Sequence, residues 1–397
     1  METLFTKHVR RIKVLKSSYQ NELIDTIPWN QQLVGLTGAR GVGKTTLLLQ
    51  YIKKTWKYSR KALYVSLSDI NFPYASLYEL AEMFIKQGGE HLFLDEIHKF
   101  PKWSEELKTI YDSLPELKVC FTGSSILDIY KGKADLSRRA LVFDMQGLSF
   151  RQFLQIETGQ NLPVYSLSEI INNHYEIALN LTEKIKPFEF FENYLRYGYY
   201  PFYLESKAYY GMKLSGTLTQ IVENDMPYLL NIDYEYIDKI KRFINLLAND
   251  IPFKPNISNL AGSVGVSWKT IIHYLRYLHR AKIINIIFPA GKNVTALAKP
   301  EKVYLHHPNL IFLFKETIEN KGSLRESFFV NQLMYKHEIQ IPGRGDFLLD
   351  RKYTFEIGGK NKGFKQIADL PDSYVVADDI EIGFENKIPL WLFGFLY

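Results

Sequence analysis

Cysteine, long apolar runs and an excess of one charge sign are all scarce in this chain of 397 residues. The single cysteine, Cys120, has no intrachain partner for a disulfide, and its place in Val119-Cys120-Phe121 makes it core, a usage that fits a reducing compartment. No apolar run reaches the roughly eighteen residues that a membrane-spanning helix needs. The basic, amphipathic N-terminus (Lys7, Arg10, Arg11, Lys13, Lys16) lacks the apolar core of a secretory signal, so a cytoplasmic protein with no membrane partner is expected. A net charge of +6 from 49 basic and 43 acidic residues permits an anionic partner without demanding one. Apolar residues are plentiful at 46 %, and the length calls for two or three domains. Aromatic clusters such as Tyr194, Tyr197, Tyr199, Tyr200, Phe202 and Tyr203 read as packing material.

One stretch organises the rest. Gly38-Ala39-Arg40-Gly41-Val42-Gly43-Lys44-Thr45-Thr46 follows the apolar run Leu33-Val34-Gly35-Leu36 and precedes Leu47-Leu48-Leu49, a strand, glycine loop and helix that fit G-x-x-x-x-G-K-[ST] without substitution. The glycines let the backbone turn and aim its N–H groups inward as an anion nest. Lys44 adds a cation for the β- and γ-phosphates, Thr45 a hydroxyl for Mg²⁺, and the helix N-terminus its partial positive charge. The pattern implies a nucleoside triphosphate.

Short apolar strands then alternate with helices: a strand over 62–67, a helix over 76–86, a strand over 92–94, a helix over 102–114, a strand over 119–121, a short helix from Ser125 and a strand over 140–143. That alternation predicts an α/β fold, a parallel sheet covered on both faces, with its chemistry at the carboxyl ends of the strands. His91-Leu92-Phe93-Leu94-Asp95-Glu96 ends there in two carboxylates, Asp95 to orient Mg²⁺ and Glu96 to activate the attacking water. Thr122-Gly123-Ser124-Ser125 follows the next strand. This small polar cluster, Ser124 within it, is a candidate to hydrogen-bond the γ-phosphate or the water, and Ser124 or Ser125 is an equal candidate for a helix cap. In Leu136-Ser137-Arg138-Arg139-Ala140 an arginine is available to neutralise charge on the transferred phosphoryl group, or is simply a solvated pair before a strand.

Together with Gly147-Leu148-Ser149-Phe150-Arg151-Gln152-Phe153, these segments resemble the bacterial and archaeal AAA+-type ATPases that carry a C-terminal domain of unknown function. The resemblance implies the AAA+ type of P-loop sheet, ATP as the nucleotide, and Arg139 as the arginine finger, acting from the same subunit or from a neighbouring one in a homo-oligomer. Arg138 stands where the family has glycine, and Gln152 where it has glutamate. Tyr194-Leu195-Arg196-Tyr197-Gly198-Tyr199-Tyr200-Pro201 resembles a further family segment, whose expected job is turn and packing.

From Ser149 to Lys241 the apolar spacing is helical, the mark of a lid. Beyond it, Ile257-Ser258-Asn259-Leu260-Ala261 opens a helix, Gly265 turns it, Ser267 caps a second helix, and a strand follows over 283–287. Helix, turn, helix and hairpin predict a winged helix-turn-helix. Its second helix offers Lys269, His273, Arg276 and Arg280 to phosphates and Trp268 to a groove of double-stranded DNA; such modules also dock proteins. In the tail, a helix with Glu326, strands beginning at Asp346 and Tyr353, the latter carrying Glu356, then a helix and further strands resemble the PD-(D/E)xK nuclease fold. Glu326, Asp346 and Glu356 stand at its metal-binding acids, but Gly358 occupies the lysine's place. Lys360 or Lys362 reaching in from elsewhere would restore a cation; the simpler reading is an inactive remnant.

The expected plan is a P-loop ATPase domain over 1–148, a helical lid over 149–241, a winged helix over 242–315 and a small nuclease-like α/β domain over 316–397. The expected activity is Mg²⁺-dependent ATP hydrolysis that moves the C-terminal effector. The alternatives are a slow nucleotide-gated switch that docks a protein and a DNA nuclease licensed by ATP.

Overall fold

The computed structural model describes residues 1–15, 19–69, 72–123, 136–227, 233, 235–291, 299–315, 318 and 321–397. Two compact units divide the chain, Met1–Gly147 and Leu148–Tyr397. None of the described helices is long and apolar enough to cross a membrane.

In the first unit, β1 (Leu33–Gly38), β2 (Ala62–Ser66), β3 (His91–Asp95), β4 (Lys118–Thr122) and β5 (Leu141–Met145) form one sheet in the order β2-β3-β4-β1-β5. All four ladders are parallel. Every residue of β1 is buried, as a central strand covered on both faces must be, so its sequence is a continuous run rather than an alternation. The helices that cover the sheet include α1 (Glu2–Val14), α2 (Lys44–Thr55), α3 (Leu77–Lys86) and α4 (Trp103–Ser113). α3 illustrates how the sequence makes one. Ser76 caps it by accepting the Glu79 amide, and Leu77, Leu80, Ala81 and Phe84, at helical spacing, turn one face into the core. Burying side chains of this size contributes about 1.5–3 kcal/mol each, which outweighs the small helix propensities involved.

Register fixes where the strands end. Leu36 lies opposite Thr122, Leu94 opposite Phe121, and Gly38 opposite Met145. The carboxyl ends of β1, β3 and β4 therefore share one edge. β4 stands between the strand that leads into the glycine loop and the strand that ends in Asp95, the order expected of the AAA+ type of P-loop sheet.

The second unit begins with helices. Phe150–Thr158 starts in a capping box, Ser149 accepting the Gln152 amide while Gln152 accepts that of Ser149. Glutamine serves here as well as glutamate because only its carbonyl oxygen is used. Buried Arg151 donates to the carbonyls of Tyr397 and Leu162, so this segment braces the unit. Tyr194–Gly198 is a π-helical turn, and a Cβ on Gly198 would press to 2.3 Å of the Tyr194 ring, a packing role like the one expected.

Farther on, helices Ile257–Val264 and Trp268–Arg280 flank Gly265, which ends the first in a left-handed conformation. β6 (Ile284–Pro289) and β7 (Lys302–Leu305) pair antiparallel, and β6 also pairs in parallel with β8 (Ile339–Ile341). With β9 (Phe347–Leu349), β10 (Tyr353–Gly358), β11 (Ser373–Ala377) and β12 (Lys387–Pro389) they make one sheet in the order β12-β11-β10-β9-β8-β6-β7. The helix expected between the Glu356 strand and the next is not there: residues 359–372 are turns. Gly358-Gly359 and Gly363 disfavour helix, and Phe364, Ile367 and Leu370 bury themselves against Val375 and Ala377 without needing one.

Candidate nucleotide site

The loop after β1 has the backbone its glycines allow. A Cβ on Gly38 would lie 2.2 Å from the Met145 carbonyl oxygen, and Gly43 starts α2 from a left-handed φ of 101°. Lys44 is buried and donates through Nζ to the carbonyls of Gly38 at 2.8 Å and Ala39 at 2.7 Å. Burial pushes its pKa down to about 8, against the attraction of Asp95 and of Asp144 on β5.

At the neighbouring strand end Asp95 is 4 % exposed and ringed by hydroxyls. Its Oδ2 accepts from Thr45 Oγ1 at 2.8 Å and from the Tyr64 hydroxyl at 2.7 Å, and its Oδ1 accepts from Thr122 Oγ1. Thr122 in turn accepts the Glu96 amide at 3.0 Å. Glu96 holds a left-handed φ of 55°, and its carboxylate lies 4.0 Å from the Arg40 guanidinium of the glycine loop. The described geometry thus brings Lys44, Thr45, Asp95 and Glu96 to one edge of the sheet.

Other expected residues lie elsewhere. Arg139 precedes β5 at the opposite, amino edge of the sheet, its guanidinium donating to both carboxylate oxygens of Asp112 at 2.9 and 3.1 Å. Ser124 and the short helix from Ser125 lie outside the described residues. Thr122 and Tyr64 were the partners of Asp95 that sequence alone did not nominate. Thr122 was legible as the end of an apolar run, whereas Tyr64 sits inside the run Ala62-Leu63-Tyr64-Val65 and reads as core.

In the second unit Trp268 is 49 % exposed, Lys269, His273 and Arg280 are exposed, and Arg276 is half-buried. Of the tail acids, Glu326 takes Lys302 Nζ at 3.1 Å and the Tyr304 hydroxyl. Asp346 lies 4.0 Å from the same ammonium and accepts the Ile357 amide at 2.8 Å. Glu356 is buried and pairs with Lys362 at 2.5 Å. Lys362 crosses Gly358, whose missing side chain makes the room.

A five-stranded parallel sheet with this glycine loop after β1 and an acidic pair after β3 defines the P-loop NTPase fold. Residues 30–154 match the family model of an AAA domain, and residues 188–311 match that of a domain of unknown function, DUF8612. The chain is 27 % identical to an uncharacterized protein of Methanocaldococcus jannaschii, over 90 % of this chain and 82 % of that one. Among solved structures, the Walker-type ATPase of Pyrococcus abyssi aligns with TM-score 0.38 and 12 % identity, covering 78 % of this chain and 94 % of the other. AMPPCP-bound DnaA from Aquifex aeolicus aligns with TM-score 0.26 and 17 % identity, covering 69 % and 87 %.

Proposed function

We propose that the first unit binds ATP with Mg²⁺ and hydrolyses it, and that the second unit is the effector this cycle drives. The observation that carries the reading is the meeting of Lys44, Thr45 and Asp95 at the mouth of the glycine loop. In this reading Gly38 to Thr46 cradle the phosphates and Lys44 exchanges its two carbonyl partners for phosphate oxygens. The hard oxygens of Thr45 and Asp95, 2.8 Å apart, fit Mg²⁺. Bound there, the ion would neutralise phosphate charge. Glu96 is the base for the attacking water, and its amide contact to Thr122 fixes the turn that aims it.

Within the second unit we read residues 149–241 as a lid, 242–315 as a winged helix and 316–397 as a nuclease-like part. The exposed basic residues after Trp268 support contact with duplex DNA. Lys302, shared between Glu326 and Asp346, and Lys362 on Glu356 already engage all three acids, which supports a structural rather than a hydrolytic role for them.

Calorimetry and turnover test the reading together. Wild-type protein binds ATP and Lys44→Ala does not; Glu96→Gln still binds but turns over at least about a hundredfold more slowly. Wild-type protein that takes up no ATP would overturn it.

A further inference from the structure

We propose that Tyr64 is the positioning residue of this site, the side chain that sets how tightly the nucleotide-bound protein holds its divalent ion. The inference rests on the reading of Asp95 given above. Three hydroxyls surround the Asp95 carboxylate, and they differ in what they are free to do. Thr45 belongs to the glycine loop and is itself a ligand of the ion in that reading, so its hydrogen bond to Oδ2 is exchanged when the ion binds. Thr122 Oγ1 is shared, donating to Asp95 and accepting from the Glu96 amide. Tyr64 has neither duty. Its hydroxyl donates to Oδ2 at 2.7 Å from a side chain that is 5 % exposed, on the edge strand β2.

The phenol is held from both ends. Its backbone amide donates to Nδ1 of His8, a buried residue of α1, at 2.9 Å. Backbone pairing of Ala62 with His91 and of Ser66 with Asp95 locks β2 to β3, so the ring cannot slide along the strand. A rigid donor that stays on Oδ2 fixes the carboxylate plane and leaves it facing the loop. Loss of one hydrogen bond to a buried charged group is worth about a tenfold change in an equilibrium constant or more. Because ATP itself is gripped mainly by backbone amides and Lys44, that loss falls on the ion and spares the nucleotide.

The test uses the full chain and Mn²⁺ as a spectroscopic probe. Mn²⁺ affinity is measured by electron paramagnetic resonance in the presence of a non-hydrolysable ATP analogue, and analogue affinity is measured separately in EDTA. Tyr64→Phe is expected to weaken Mn²⁺ binding about tenfold and leave analogue binding in EDTA within about twofold. In an Asp95→Asn background the same substitution changes Mn²⁺ binding little, because the group it acts through is gone. Unchanged Mn²⁺ affinity in Tyr64→Phe, or a loss that simply adds to that of Asp95→Asn, overturns the inference while the nucleotide site stands. Analogue binding that survives Lys44→Ala brings down the site reading and this inference with it. Should Tyr64→Phe fail to fold, Tyr64→Met, which fills the buried space without a donor, takes its place with the same two outcomes: about tenfold weaker Mn²⁺ binding supports the inference and unchanged binding overturns it.

Discussion

His8 shows how a single side chain can make the first unit sensitive to acid. Its Nδ1 accepts the Tyr64 amide and is therefore unprotonated in the fold; adding a proton there would set a donor against a donor. Burial pulls the imidazole pKa down from 6.5 to about 4. The sign follows from which state takes the proton first. Below 6.5 the unfolded chain binds it and the folded chain does not, so the stability that neutral His8 contributes is complete above that pH and drains away as pH falls towards 4. At pH 5 the loss is about 2 kcal/mol relative to pH 7. His8→Gln keeps an acceptor but cannot titrate. Urea denaturation at pH 7 and pH 5 should show a fall in stability that is smaller in the variant by about that amount, and equal falls in the two proteins would contradict the assignment.

At the scale of elements, what could be read in advance was whatever the chain encodes locally. The run from Leu33 to Thr46 contains its own strand, turn and helix; Gly35 and Gly38 answer to neighbours in space, and Gly41 and Gly43 to a positive φ. The same local logic failed after Glu356, where a helix was expected and turns were found: Phe364, Ile367 and Leu370 keep a three-residue spacing, but beside Gly358, Gly359 and Gly363 they reach the core from turns. Partners brought together from distant parts of the chain left no local mark: Tyr64 is 31 residues from Asp95, and Lys302 is 24 from Glu326. Two glycines separate these cases experimentally. Gly38→Ala drives a Cβ into the Met145 carbonyl and should destabilise the first unit by more than about 2 kcal/mol. Gly262→Ala, in the helix Ile257–Val264 with nothing within 4 Å of the new methyl, should stabilise by about 0.5–1 kcal/mol. Melting curves of the two variants should therefore move in opposite directions from wild type.

For the whole molecule, we propose that Arg139 acts on the site of a second copy of the chain, because its own loop is out of its reach. β5 runs from Leu141 beside Val34 to Met145 beside Gly38, so about 13 Å of strand separates the arginine's end of the sheet from the phosphate loop. A guanidinium anchored on Asp112 at that edge can meet transferred phosphate only in a second copy of the chain. Hydrolysis that depends on Arg139 would then be a property of the assembly, with each copy lending an arginine to its neighbour's site. Arg139→Ala should lower turnover at least about a hundredfold while leaving ATP binding intact. Glu96→Gln should be comparably slow for a different reason, since it keeps a good arginine and lacks the base. Mixed in equal amounts, the two variants form contacts in which an intact base faces an intact arginine, and turnover should return to within about tenfold of wild type. A mixture no faster than the sum of its parts, alongside an Arg139→Ala protein as active as wild type, would make Arg139 a brace between α4 and β5. Turnover lost in Arg139→Ala and not recovered on mixing would instead locate its effect within one chain.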